Sequence, residues 1–141
     1  MILPNILPEG ACAVKRGIIA VVLVALIAAM VLSGCGQSHP KSIVSDFLTL
    51  IQKGDYGAAY DMLSSFAKEK YSLDSFTKLL QDKDSSLGRI TKFEYKKGYL
   101  GAEQSSMVFT ITRTKDGKDT TVEATFGMRL DQGKWRITDG F

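Results

Sequence analysis

The sequence predicts an α+β domain, with N-terminal helices packed on one face of a four-stranded antiparallel sheet, preceded by a signal-peptide helix. Three observations carry this reading. An unbroken apolar run, Ile18 to Leu32, stands near the N-terminus. Between Pro40 and about Lys83, apolar residues recur at helical spacing. From Arg89 onward the period changes to two, with glycine-bearing turns between the segments. Helices followed by a meander of strands segregate into two layers.

Lys15 and Arg16 precede the apolar run, and small residues follow it, which is the layout of a secretory signal peptide. Its 15 residues are short for a membrane span, which needs about 20. An uncleaved membrane helix is the alternative. In both cases Lys15 and Arg16 stay cytoplasmic and the rest of the chain is exported. Leu32-Ser33-Gly34-Cys35 closes the run. This tetrad resembles the lipobox of bacterial lipoproteins, in which an aliphatic residue and two small ones precede a cysteine. Small residues weaken the helix and let the backbone open for a protease, and a thiol is a strong nucleophile for taking a lipid. The resemblance implies cleavage between Gly34 and Cys35 and a diacylglyceryl thioether on Cys35. The expected partner is then membrane lipid, and the expected location is extracytoplasmic, at the cell surface or in the periplasm.

Residues 1–34 are thus read as signal peptide, 35–40 as lipidated cysteine and tether, and 41–141 as the domain. Met1 to Ala13 has no basic residue, two prolines and Glu9, none of which suits a signal-peptide head, so Val14 is an alternative translation start. From Cys35 onward 107 residues remain, enough for one small core. Losing Lys15, Arg16 and Glu9 moves the formal charge from +3 to +2, which gives no footing for nucleic-acid binding. Cys12 leaves with the signal peptide, so Cys35 has no disulfide partner. The tether contains His39, the only histidine, which is expected to be solvated.

Pro40 to Lys53 reads as the first helix, with Ile43, Val44, Phe47, Leu48, Leu50 and Ile51 on one stripe. Pro40 suits a first turn and Gly54 a C-terminal cap. Asp55 caps a second helix, with Tyr56, Ala59, Tyr60 and Leu63 at helical spacing, which Ser64-Ser65 ends. A short helical link, Phe66 to Tyr71, leads to Ser72, the cap of a third long helix expected to end near Lys83. That helix should point Leu73, Phe76, Leu79 and Leu80 inward, with a polar loop from Asp82 to Gly88 after it. The first strand is read from Thr91-Phe93-Tyr95, with a turn from Lys97-Gly98 to Gly101. Met107, Phe109 and Ile111 mark the second strand, and Val122 to Leu130 the third. Trp135 and Ile137 mark the fourth. Asp116-Gly117 and Asp131-Gln132-Gly133 are the turns.

Ser42 to Leu63, with its Lys53-Gly54-Asp55-Tyr56 junction and Ala59-Tyr60, and the closing Gly133-Lys134-Trp135-Arg136-Ile137, resemble the nuclear-transport-factor-2-like domains, also called ketosteroid-isomerase-like or cystatin-like. The resemblance covers roughly residues 40–141. It is closest to a subgroup of small lipoproteins without assigned activity. It implies a curved sheet wrapped around helices to leave a cone. Tyr60, Phe109, Phe126 and Trp135 are the candidate lining of a pocket there, although filling the core is the commoner fate of such residues.

Enzymes of that superfamily place an Asp, a Tyr or a His–Asp pair inside the cone. His39 lies outside the domain, so only Asp with Tyr remains, from Tyr56, Tyr60, Asp61 and Asp46. Asp46 and Asp61 fall on polar stripes, so no catalytic residue is assigned. No metal site, cofactor or phosphate-binding motif is found. Lys92 and Lys96, on the strand face opposite Phe93, are a candidate contact with anionic headgroups. The first functional reading is therefore a lipid-anchored envelope binding or interaction module, offering a small apolar ligand site or a face to an envelope protein. A ketosteroid-isomerase-like enzyme using Asp and Tyr is the second, and a structural accessory of an envelope complex the third.

Overall fold

A computed structural model describes residues 38–141. The expected signal peptide, the tetrad Leu32-Ser33-Gly34-Cys35 and the alternative start at Val14 lie outside the described residues. The element order is α1 (Pro40–Lys53), α2 (Tyr56–Asp61), α3 (Ser65–Lys70), α4 (Leu73–Leu87), β1 (Arg89–Leu100), β2 (Gln104–Lys115), β3 (Lys118–Asp131) and β4 (Lys134–Asp139). The strands form one antiparallel sheet in the order β1-β2-β3-β4, and the helices cover its inner face.

Each helix begins on a side chain that accepts a backbone N–H left over by the first turn. Asp55 accepts from Ala58, Ser64 from Ala67 and Ser72 from Ser75. His39 does the same for α1, its Nδ1 accepting the Lys41 N–H at 3.3 Å. It therefore caps the first helix while staying exposed to solvent. Gly54 ends α1 at φ 80°, a left-handed conformation that glycine adopts without steric cost.

The core forms where the two periods meet. Val44, Phe47, Leu48 and Ile51 of α1 meet Phe76 and Leu80 of α4, together with Met107, Phe109 and Ile111 of β2, Phe126 and Met128 of β3 and Ile137 of β4, all buried. Phe47 is the hub, with ring centroids 6.3 Å from Phe76, 6.2 Å from Phe126 and 6.1 Å from Phe141.

Four details depart from the sequence reading. α2 stops at Asp61, and Leu63 bridges β4 beside Ile137; the Ser64 N–H donates to the Ile137 carbonyl and the Ile137 N–H to the Met62 carbonyl. This crossing covers the outer edge of β4, a need that no local pattern reveals. α4 runs through the expected loop to Leu87, and Leu73 at its start is 44% exposed instead of inward. β1 continues through Lys97-Gly98 to Leu100 instead of turning there. A Cβ at Gly98 would lie 2.5 Å from the Met107 sulfur, so this glycine makes room for a cross-strand neighbour. Finally, Val122 is half exposed, because the far end of the β2–β3 hairpin extends past the helices.

Candidate functional site

The nominated aromatics do not converge on one cleft. Phe109 and Phe126 are each 1% exposed and meet edge to face at 6.1 Å. Tyr60 lies beyond Phe76, 5.7 Å away ring to ring, and its hydroxyl donates to the Tyr71 carbonyl at 2.9 Å. Trp135 is half-buried on β4, opposite Leu130. The C-terminal Phe141 turns back among them, 5.1 Å from Phe76 and 5.5 Å from Tyr71. Phe47, Phe76, Tyr71 and Phe141 thus occupy the space between the helices and the sheet. Asp46 and Asp61 are exposed.

The tyrosine–carboxylate pair that the structure does build involves a residue the sequence reading left in a loop. The Tyr56 hydroxyl donates to Asp84 Oδ2 at 2.8 Å, and Arg113 Nη1 donates to Asp84 Oδ1 at 2.8 Å. The same Arg113 nitrogen donates to the Gly88 carbonyl at 2.8 Å. The two charged side chains are only 12% exposed. Burial, then the hydrogen bond to Asp84, raises the Tyr56 phenol above its ordinary range. Burial, then repulsion from Arg113, lowers the Lys83 ammonium. Both oxygens of the Asp84 carboxylate are engaged, one of them by a guanidinium. Neither oxygen is left without a hydrogen-bond donor from within the protein. This geometry suits the carboxylate to tying α2, α4 and β2 together. No period or motif marks this triad, since its members are 28 and 29 residues apart in the chain.

Several clefts lie on the surface of the described residues. One of about 680 Å³ opens between the start of α2 and α4, lined by Gly54, Tyr56, Leu73, Lys78 and Gln81. Another, of about 450 Å³, lies between the end of α4 and the far hairpin, where Leu87 and Val122 stand among Arg113, Lys115 and Lys118. The Ser105 hydroxyl is buried with no hydrogen-bond partner. Among the described residues no group of three His, Cys, Asp or Glu side chains is placed to hold a metal ion. No helix among them is long and apolar enough to cross a membrane.

Lys92 and Lys96, nominated as a basic face, each have an acidic partner. Lys92 pairs with Glu94 at 2.8 Å, and Lys96 pairs with Glu123 on β3. The hydrogen bond to Lys96 lowers the Glu123 carboxyl below its ordinary range. The face is therefore far less basic than its lysines suggest.

No known protein family and no curated protein matches this sequence. Solved structures do match. The protein named "Rd1NTF2_04 with long sheet" aligns with a TM-score of 0.55 at 16% identity, over 71% of this chain and 95% of that one. An NTF-2 like protein of unknown function from Shewanella oneidensis aligns with a TM-score of 0.53 at 18% identity, over 69% and 89%. A putative NTF2-like transpeptidase from Campylobacter jejuni gives 0.51 at 11% identity, over 71% and 97%. The chain therefore has the nuclear-transport-factor-2-like fold. Identities this low speak for the fold alone, which hosts enzymes and non-enzymes alike.

Proposed function

We propose that this chain is a lipid-anchored, non-catalytic interaction module of the bacterial cell envelope. The observation that carries the reading is Cys35 in its Leu32-Ser33-Gly34-Cys35 setting, behind an apolar run and just ahead of a self-contained fold. Two features of the domain support a role without chemistry. The rings of Phe47, Phe76 and Phe141 pack against one another between helices and sheet. The Tyr56–Asp84 pair, the arrangement closest to acid–tyrosine catalysis, has its carboxylate held by Arg113. A partner then meets the outside of the molecule.

Growth of the producing cells with a fatty-acid probe tests the anchor. The expected result is a labelled, membrane-associated product, with label lost and the precursor left uncleaved in Cys35→Ser. An unlabelled wild-type product overturns the reading. Native mass spectrometry of the processed protein tests the second part. A small molecule retained in stoichiometric amount would move the assignment to ligand binding.

A further inference from the structure

We propose that the distal half of β1, Tyr95 to Leu100, is the surface this domain lays against the bilayer; the inference rests on the lipid anchor at Cys35. Three exposed apolar side chains fall within these six residues: Tyr99 is 69% exposed, Leu100 55% and Tyr95 39%. They stand on an edge strand, and because Tyr99 and Leu100 project to opposite faces they make a ridge.

The start of the domain lies beside this ridge. α1 runs along β1, with Gln52 at its end donating to the Thr91 carbonyl and Lys41 at its start placing its ammonium 4.7 Å from the centre of the Tyr95 ring. Five peptide units separate Cys35 from Pro40, a reach of about 17 Å at most. Five more lead along the strand from Tyr95 to Leu100, again about 17 Å. The tip of the ridge and the lipid-bearing sulfur can therefore share one plane. A body of this length has a radius of gyration of about 13 Å, so the half of its surface away from Pro40 is out of reach of so short a leash. Leu87, equally exposed, precedes β1 at its other end.

The chemistry is that of a headgroup boundary more than of a charged sheet. Tyrosine has an apolar body and a polar tip, and lysine can bury its stem while its ammonium stays in water. Lys92 and Lys96 are matched by Glu94 and Glu123, and Glu103 in the following turn offsets one of Lys41 and Lys97. With charge so nearly balanced, the contact depends on the rings and Leu100, and forms on zwitterionic as on anionic bilayers.

Leu100 and Leu87 supply a built-in comparison, since both are leucine and both are 55% exposed. The intact lipidated protein is placed in phosphatidylcholine vesicles and footprinted with hydroxyl radicals. The expected ratio of labelling at Leu100 to Leu87 is at least threefold below one, and Tyr99 is protected alongside Leu100. A ratio near one, with the protein still floating with the vesicles, overturns the inference and leaves the anchor standing. A protein that does not float overturns both. Protection that disappears as the protein is diluted over more vesicles assigns the ridge to a second copy of the chain, and overturns the bilayer contact.

Discussion

At the scale of single residues, Asp84 and Asp131 show how a surface-looking acid can hold a fold. Asp84 sits in the run Asp82-Lys83-Asp84-Ser85-Ser86, which reads as loop. Its partners, Tyr56 and Arg113, come from distant parts of the chain, so the pattern around it carries no sign of them. Replacing Asp84 with alanine leaves the Arg113 guanidinium, 12% exposed, without its counter-charge. Breaking one side of a buried pair costs on the order of 3 kcal/mol. Urea unfolding of Asp84→Ala should therefore show a midpoint well below wild type at an unchanged slope, whereas a midpoint within a few tenths of molar would mean that the pair is solvated and dispensable. Asp131 acts through pH. Its carboxylate accepts the Ser65 N–H at 2.7 Å, and this hydrogen bond lowers its pKa below the ordinary 3.8. The unfolded chain thus takes up this proton first as the pH falls. The stabilisation is complete above the ordinary value and is lost as pH drops through the folded one. Thermal melts from pH 5 to pH 2 should fall less steeply for Asp131→Asn than for wild type, with little difference at pH 7, because the amide oxygen can still cap Ser65. Identical acid limbs would refute this role for Asp131.

At the scale of elements, what was legible in the sequence is what is enforced locally. Asp116 and Gly117 have φ 52° and 74°, and Gln132 and Gly133 have 51° and 76°, so both two-residue turns have the left-handed pairs that suit the twist of a hairpin. The caps at Asp55 and Ser72 were readable for the same reason, since donor and acceptor lie three residues apart. What was not legible depends on a neighbour from elsewhere in the chain. α4 continues to Leu87 because Asp84 is tied to the sheet, and β1 passes through Gly98 because Met107 lies across from it. The register of β1 also slips twice, between Ile90 and Lys92 and between Tyr95 and Lys97, and no alternation pattern anticipates such bulges. Together with lysines along the strand, they protect an open edge from pairing with another chain. The junction between α4 and β1 is the tightest of these places. Gly88 has φ 89°, and a Cβ there would meet the Thr114 carbonyl oxygen at 2.3 Å, a backbone atom that cannot swing aside. Gly88→Ala should lower the melting temperature by about 8 °C or more, in line with a cost of about 2–3 kcal/mol for strain at such a position and about 4–8 °C per kcal/mol in a domain of this size. Gly117→Ala, where nothing lies within 4 Å of the new Cβ, should cost clearly less. Equal losses would show that the left-handed backbone conformation decides the outcome, and not the contact with Thr114.

At the scale of the whole molecule, Phe141 bears on whether the space between helices and sheet is open. A nuclear-transport-factor-2-like sheet bends around its helices, and whatever stands between the two layers determines whether the fold offers an interior to a ligand. Here Phe141, two residues beyond the end of β4, packs its ring against Phe76, Tyr71 and Phe47, so the chain supplies its own occupant. Truncating a buried phenylalanine costs about 3–5 kcal/mol, and Phe141 is only partly buried, so about 2 kcal/mol is expected for Phe141→Ala. The more telling readout is what enters the vacated space. An environment-sensitive apolar dye should bind Phe141→Ala saturably, with the protein still melting cooperatively, and should not bind wild type. Added back at millimolar concentration, a phenyl-bearing solute such as benzene or toluene should raise the melting temperature of the variant and leave that of wild type unchanged, because it restores the missing contacts only where they are missing. If wild type binds the dye as tightly as the variant does, the space between helices and sheet is already open. Phe141 is then a lid beside a pocket and not its contents, and the case for a partner held on the outer surface gives way to one for a ligand held within.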